Sequence, residues 1–236
     1  MRRDLDAASP TIRVMADEAG AVIVAAGSSR RMGGVDKLLA PLAGRTVLEH
    51  SLAAFVEHPA ISFIIVVVSE ENQAAIEELV GDVAPSARVV LGGARRRDSV
   101  RAGLGALPRC EYVLVHDGAR PLVTSQMIDA ALAGAREKDA AICAIQVSDT
   151  VKQVDNYGFS RRTLDREGLW LAQTPQAFRL ELLLRAHAAY AEDVTDDAML
   201  IEHLGLPVRI VAGSTRNLKV TTPDDLVLAE ALLAQR

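Results

Sequence analysis

The chain has 236 residues, half of them apolar, with 26 Lys and Arg against 31 Asp and Glu for a net charge of −5. That is ample for a core, while the acidic balance and an aromatic content of 3% exclude a sequence-independent nucleic-acid binder that works by charge or base stacking. The longest nearly apolar run, Ile61 to Val68, is too short to span a bilayer, and Cys110 and Cys143 match no metal-ligand spacing and read as buried thiols of a reducing, cytoplasmic compartment.

Residues 1–19 mix charges with Ser9 and Pro10 and show no period, so they read as a flexible extension before one domain over 20–236. From there, short β-branched runs alternate with helical patterns. Ala21–Ala26, Phe63–Val68, Arg88–Leu91, Tyr112–His116 and Ala140–Val147 read as strands buried on both faces. Between them, Leu48, Leu52, Phe55 and Val56 share a helical face, as do Ile128, Ala131, Leu132 and Ala135. The expected fold class is therefore α/β, a Rossmann-like and mostly parallel sheet with helices on both faces. The polar stretch 148–171 breaks the rhythm. With a turn signal at Asn156–Tyr157–Gly158, it reads as a protruding β-arm that needs a partner surface, which points to a homodimer. Beyond it, Thr195 is placed to cap a helix from Asp196 to Leu204 that Gly205 stops. Val208–Val211 and Asn217–Val220 read as strands, and Thr222–Pro223–Asp224–Asp225 starts a last helix.

Chemistry concentrates in the loop after the first strand, Ala25–Ala26–Gly27–Ser28–Ser29–Arg30–Arg31–Met32–Gly33–Gly34–Val35–Asp36–Lys37. In an open parallel sheet, ligands bind outside the carboxyl ends of the strands. Glycine and serine there let backbone N–H groups turn toward an anion, and Arg30, Arg31 and Lys37 add fixed positive charge. Neither the G-x-x-x-x-G-K-[ST] phosphate loop nor the G-x-G-x-x-G dinucleotide pattern is present. A second glycine loop, Gly92–Gly93–Ala94–Arg95–Arg96–Arg97–Asp98–Ser99, follows a strand and opens a helix. A third motif, His116–Asp117–Gly118–Ala119–Arg120–Pro121, ends a buried strand in a carboxylate, the ligand type that Mg²⁺ shares with substrate phosphates.

Together with Asp149–Thr150–Val151–Lys152, Leu164–Asp165–Arg166–Glu167–Gly168–Leu169–Trp170, Ala172–Gln173–Thr174–Pro175–Gln176, Val194–Thr195–Asp196–Asp197–Ala198 and Asn217–Leu218–Lys219–Val220–Thr221, these motifs resemble the sugar-nucleotide pyrophosphorylase-like nucleotidyltransferases. Within that family they are most similar to the cytidylyltransferase branch whose acceptor is 2-C-methyl-D-erythritol 4-phosphate. The resemblance spans Ala21 to Leu233. It implies transfer of CMP from CTP to a sugar-alcohol phosphate with Mg²⁺, by a homodimer that engages neither nucleic acid nor membrane.

The resemblance also implies roles. Arg31, Lys37 and Lys219 fall at the catalytic cations. Ala25, Ala26, Gly27, Ser28, Gly93, Ala94 and Ser99 border the nucleotide, and Arg96 sits at the family's arginine. Asp117 contacts CTP and ligates the metal. Arg120, Thr150, Arg166, Thr195, Asp196 and Lys219 face the acceptor, with Arg166 coming from the arm of the other subunit. Arg95 and Arg97 read as solvated surface charges, His116 as a packed structural histidine and Thr174 as structural. Two departures from the family pattern are Ser29 in place of a glycine and Asp36 in place of a proline, the latter putting an acid beside Lys37. Two rival readings are a ribitol 5-phosphate cytidylyltransferase and a non-catalytic nucleotide sensor. The joint presence of Arg31, Lys37, Asp117 and Lys219 argues against the sensor.

Overall fold

A computed structural model describes residues 19–27 and 36–235. The expected extension thus lies outside the described residues except at Ala19, which begins the first strand rather than ending the extension. In chain order the elements are β1 (Ala19–Ala25), β2 (Pro41–Leu42), β3 (Arg45–Thr46), α1 (Val47–Val56), β4 (Ile61–Val68), α2 (Gln73–Val83), β5 (Arg88–Leu91), α3 (Arg96–Ala106) and β6 (Tyr112–Asp117). There follow α4 (Ser125–Lys138), β7 (Ala140–Gln146), β8 (Lys152–Val154), β9 (Ser160–Thr163), β10 (Trp170–Arg179), α5 (Leu180–Ala189), α6 (Ala198–His203), β11 (Arg209–Ala212) and α7 (Pro223–Leu233).

The main sheet runs β11-β7-β10-β6-β1-β4-β5. β1 pairs in parallel with β4 and β6, as do β5 with β4 and β11 with β7. Within this sheet β10 runs antiparallel to its neighbours β6 and β7. The fold class is the mostly parallel α/β sheet expected from the alternation of strands and helices. The alternation along β1 shows why its sequence is apolar throughout. Ala21, Ile23 and Ala25 pack under α1, α2 and α4, while Val22 faces the opposite layer of α3, α5 and α6. Gly103 brings α3 down onto that second face: a Cβ there would lie 2.5 Å from Val22 Cγ1 and 2.8 Å from Val67 Cγ2.

Some expected boundaries shift for physical reasons. In α1, Leu48, Leu52 and Phe55 are buried, but Val56 lies a further ~100° around the helix and is exposed. α6 starts at Ala198 rather than Asp196. Thr195 does not cap it; the Asp196 carboxylate accepts from Met199 N–H at 3.1 Å instead. Gly205, at φ +71°, ends α6 as expected. Thr222 and Asp225 form the capping box of α7. Residues 217–220 are not a strand. A ladder-like bond runs from Val220 N–H to Ala119 O, and the Asn217 side chain ties the segment to Thr174. β10 is a strand that the polar residues Gln173, Thr174 and Gln176 and the residue Pro175 conceal in the sequence; its ladder with β7 shifts register between Ala172 and Gln176.

Residues 152–163 form a separate two-stranded hairpin, β8 with β9, every residue of both strands exposed. Val154, Tyr157 and Phe159 on the hairpin, and Trp170 and Leu171 at the start of β10, expose apolar surface. No helix among the described residues is long and apolar enough to cross a membrane.

Candidate active site

Two cavities open at the carboxyl ends of β1 and β6, where a parallel sheet binds its ligands. The first, of about 340 Å³, is lined by Ala26, Gly27, Lys37, Gly93, Ala94 and Ser99 among others. The second, of about 270 Å³, lies toward β10 and includes Arg120, Gln173, Thr174, Gln176, Thr195 and Asp196. Three residues line both: Arg96, Asp117 and Lys219.

Asp117 is the hub of that junction. Its carboxylate lies 2.8 Å from Lys219 Nζ, 3.6 Å from Arg120 Nε and 3.7 Å from Arg96 Nε. Burial alone would raise its pKa, but Lys219, then Arg96 and Arg120, hold it well below the ordinary carboxylate range. The cations are positioned in turn. Arg120 donates to Asn217 O at 2.7 Å, and buried Asn217 donates to Thr174 O at 2.9 Å, so the segment carrying Lys219 is clamped across 43 residues of chain. Burial lowers the pKa of Arg120 against the pull of Asp117.

Beneath the hub, Thr174 Oγ1 accepts from Asp117 N–H at 3.1 Å and lies 3.0 Å from His116 Nδ1. His116 Nε2 faces Arg120 O at 3.3 Å, which can only accept, so Nε2 carries the proton and Thr174 donates to Nδ1. Burial pushes His116 down to about 3, keeping the ring neutral, and it packs on Phe55. It is the packed structural histidine expected.

On the first cavity's side, Asn72 donates to Ala25 O at 3.1 Å and to Asp36 Oδ2 at 2.9 Å. Asp36 also accepts from Leu38 N–H at 3.0 Å. Asp36 thus ties the end of the loop to the β4–α2 turn. Lys37 Nζ hovers over Gly27, 3.8 Å from where a Cβ would stand. Ser99 Oγ accepts from Gly93 N–H at 3.2 Å and lies within reach of the Gly93 and Arg95 carbonyls, latching the second glycine loop.

The structure distributes the anticipated residues unevenly. Ala26, Gly27, Lys37, Gly93, Ala94, Ser99, Asp117, Arg120, Thr195, Asp196 and Lys219 line one or both cavities. Ala25 is buried beneath them. Ser28 and Arg31 lie outside the described residues, as does Ser29. Thr150 and Arg166 are exposed and line neither cavity; Arg166 donates to Ser148 O. Arg97, read as a solvated surface charge, is 4% exposed. Its guanidinium instead donates to the carbonyls of His187 and Tyr190, fastening α3 to the end of α5. Arg95 is exposed and pairs with Asp98, as a surface charge should, but it also lines the first cavity.

Asp197 is the residue that sequence reasoning passed over. It is fully buried and takes Arg96 Nη1 at 2.7 Å. An acid in a helix-starting sequence looks like a cap; what marks it is the arginine 101 residues earlier that needs a partner.

The chain matches, over residues 19–235, the model of the family described as IspD: 2-C-methyl-D-erythritol 4-phosphate cytidylyltransferase. It is 46% identical over 219 residues to the 2-C-methyl-D-erythritol 4-phosphate cytidylyltransferase of Dehalococcoides mccartyi strain CBDB1, covering 92% of this chain and 96% of that one. A further relative of that name, from Prochlorococcus marinus strain MIT 9313, is 46% identical over 91% of this chain and 98% of its own. Among solved structures, 4-diphosphocytidyl-2C-methyl-D-erythritol synthase of Anaerococcus prevotii superposes with a TM-score of 0.82 at 32% identity, covering 94% of this chain and all of that one. The 2-C-methyl-D-erythritol 4-phosphate cytidylyltransferase of Thermus thermophilus gives 0.76 at 36% identity, covering 93% of this chain and all of its own.

Proposed function

The chain belongs to the 2-C-methyl-D-erythritol 4-phosphate cytidylyltransferase family, and on that premise we propose how its two cavities divide the family's reaction. The enzyme transfers CMP from CTP to 2-C-methyl-D-erythritol 4-phosphate and releases pyrophosphate, a step of isoprenoid precursor synthesis. CTP occupies the first cavity, with its base against Gly93 and Ala94 and its phosphates between Gly27 and Lys37. The acceptor occupies the second, its hydroxyls toward Thr195 and Asp196 and its phosphate toward Arg120 and Lys219. The observation that carries this reading is the sharing of Arg96, Asp117 and Lys219 by both cavities. A reacting α-phosphate bridging two substrates needs fixed charge at that junction.

In the reaction an acceptor phosphate oxygen forms a bond to the α-phosphorus while the bond from the α-phosphorus to the bridging oxygen of the β-phosphate breaks. Negative charge grows on the non-bridging and leaving oxygens, and Lys37, Arg31 and Lys219 stabilise it. The attacking phosphate is already ionised at neutral pH, so these residues act by positioning and charge, with no proton to remove.

Magnesium fits the residues present. Asp117 is an ionised carboxylate facing both cavities, and one or two carboxylates plus substrate phosphates suit the ion. Asp117 would hold it; when bound, the ion neutralises charge on the triphosphate. The exposed hairpin and its apolar residues support a homodimer in which Arg166, from the arm of the other subunit, grips the acceptor phosphate together with Thr150, an arginine fork being a natural phosphate clamp. A cytoplasmic location belongs to the same reading.

The test is pyrophosphate release from CTP and Mg²⁺, with 2-C-methyl-D-erythritol 4-phosphate and ribitol 5-phosphate offered in parallel. Turnover with the first alone is expected. Turnover with ribitol 5-phosphate alone would sink the acceptor assignment and leave the division of the cavities standing.

A further inference from the structure

Arg96 stands between two carboxylates. Its Nη1 is 2.7 Å from Asp197 Oδ2 and its Nε is 3.7 Å from Asp117 Oδ1. The two acids differ in what surrounds them. Asp117 faces both cavities and already has Lys219 and Arg120. Asp197 is wholly buried, lines neither cavity, and among the described residues has one oxygen with no hydrogen-bond partner. His187 Nε2 lies 3.7 Å from that oxygen, beyond hydrogen-bond reach. A fully buried carboxylate is costly unless a cation answers it, so Asp197 has a strong claim on Arg96.

Asp197 is itself fixed in place. Its N–H donates to Gln176 Oε1 at 3.2 Å, while the Gln176 side-chain amide donates to Asp196 Oδ2 at 3.0 Å. Arg97 pins the end of α5 just upstream. Asp197 thus fixes one end of Arg96 from behind the acceptor wall.

We propose that Asp197 is a positioning residue for the transfer reaction: it holds the Arg96 guanidinium at the junction of the two cavities and keeps it from closing fully onto Asp117. Without the Asp197 charge, the strongest remaining attraction on Arg96 is Asp117. An Arg96 collapsed there cancels the hub carboxylate and withdraws a positive charge from the phosphates. The proposal rests on the two-cavity transferase reading and adds a residue that touches neither substrate.

The test is a double-mutant cycle with Asp197→Asn, Arg96→Gln and the pair, measuring kcat, KM for each substrate and the thermal midpoint. Asp197→Asn alone is expected to lower kcat by about tenfold or more while KM for CTP moves less than kcat. In the Arg96→Gln background the same change is expected to alter kcat by less than about twofold, because the group it acts through is already gone. Asp197→Glu, which keeps the charge, is expected to recover part of the loss. An equal loss in both backgrounds would make Asp197 merely structural and overturn the proposal, as would an unchanged kcat for Asp197→Asn. If that variant does not fold, Asp197→Glu, which keeps the charge but displaces it from Arg96, takes its place in the cycle. A kcat loss that vanishes in the Arg96→Gln background supports the proposal; one that persists overturns it. Wild-type turnover in the same assay tests the transfer reading by itself, whereas only the ratios between variants test Asp197.

Discussion

The cavity junction and the β8–β9 hairpin are both rich in charge, and they use it in opposite ways. In the hairpin the partners are local. Lys152 bonds Thr163, Arg162 bonds Gln153, Arg161 pairs with Asp155, and the Asp155 carboxylate accepts from the N–H groups of Tyr157 and Phe159. At the junction the partners come from distant chain: Arg96 meets Asp197 across 101 residues and Arg120 meets Asn217 across 97. Local pairs in water shape a turn and add little stability. Distant pairs exist only once the sheet has formed, and partial burial keeps their charge strong enough to act on a phosphate. The junction is therefore a product of the fold, whereas the hairpin is almost independent of it.

The sharpest break of the comparison is in stability. Phe178, on β10 and fully buried, supports the face under α5 and α6. Phe178→Ala is expected to cost about 3–5 kcal/mol by urea unfolding, and the junction should lose its cation geometry with it. Next is Lys219→Ala, which removes the closest partner of Asp117. Turnover is expected to fall by about 10²–10³-fold with a much smaller change in CTP affinity by calorimetry. Equal losses in turnover and affinity would make Lys219 a binding residue only.

A smaller effect concerns pH. His116 titrates near 3 in the fold against an ordinary value near 6.5. Between those limits the unfolded chain takes up a proton that the folded one refuses, so stability rises with pH across the window, by at most about 1.4 kcal/mol per unit. His116→Gln should flatten that slope in denaturant midpoints measured from pH 4 to pH 7. The smallest effect belongs to the hairpin. Phe159, 71% exposed, is expected to change monomer stability by less than about 0.5 kcal/mol when replaced by Ala. If the arm joins two subunits, the same variant should shift the protein toward monomer by light scattering and lower turnover through Arg166.

Much of this was legible in the residues. β1, β4 and β6 declare themselves because a central parallel strand is apolar on both faces, and α7 because its Thr–Pro–Asp–Asp start is a local signal. β10 was hidden because its middle is polar where it serves the site rather than the core. Segment 217–220 looked like a strand because its alternation is real, yet its hydrogen bonds go to Ala119 and, through side chains, to Thr174. Arg95, Arg96 and Arg97 are one run of identical letters with three fates: an exposed pair with Asp98 on the wall of the first cavity, the junction, and a buried clasp on α5.

The sequence by itself determined the layered α/β class, the two glycine loops at strand ends and the acid that closes β6, because periodicity, turn chemistry and motif spacing are written along the chain. Only the tertiary structure decided which arginine of the run lines both cavities, that Asp36 braces a loop, and that Asp197 answers Arg96. These depend on which side chains end up within a few ångströms after a hundred residues of intervening fold, and on whether water is there to screen them.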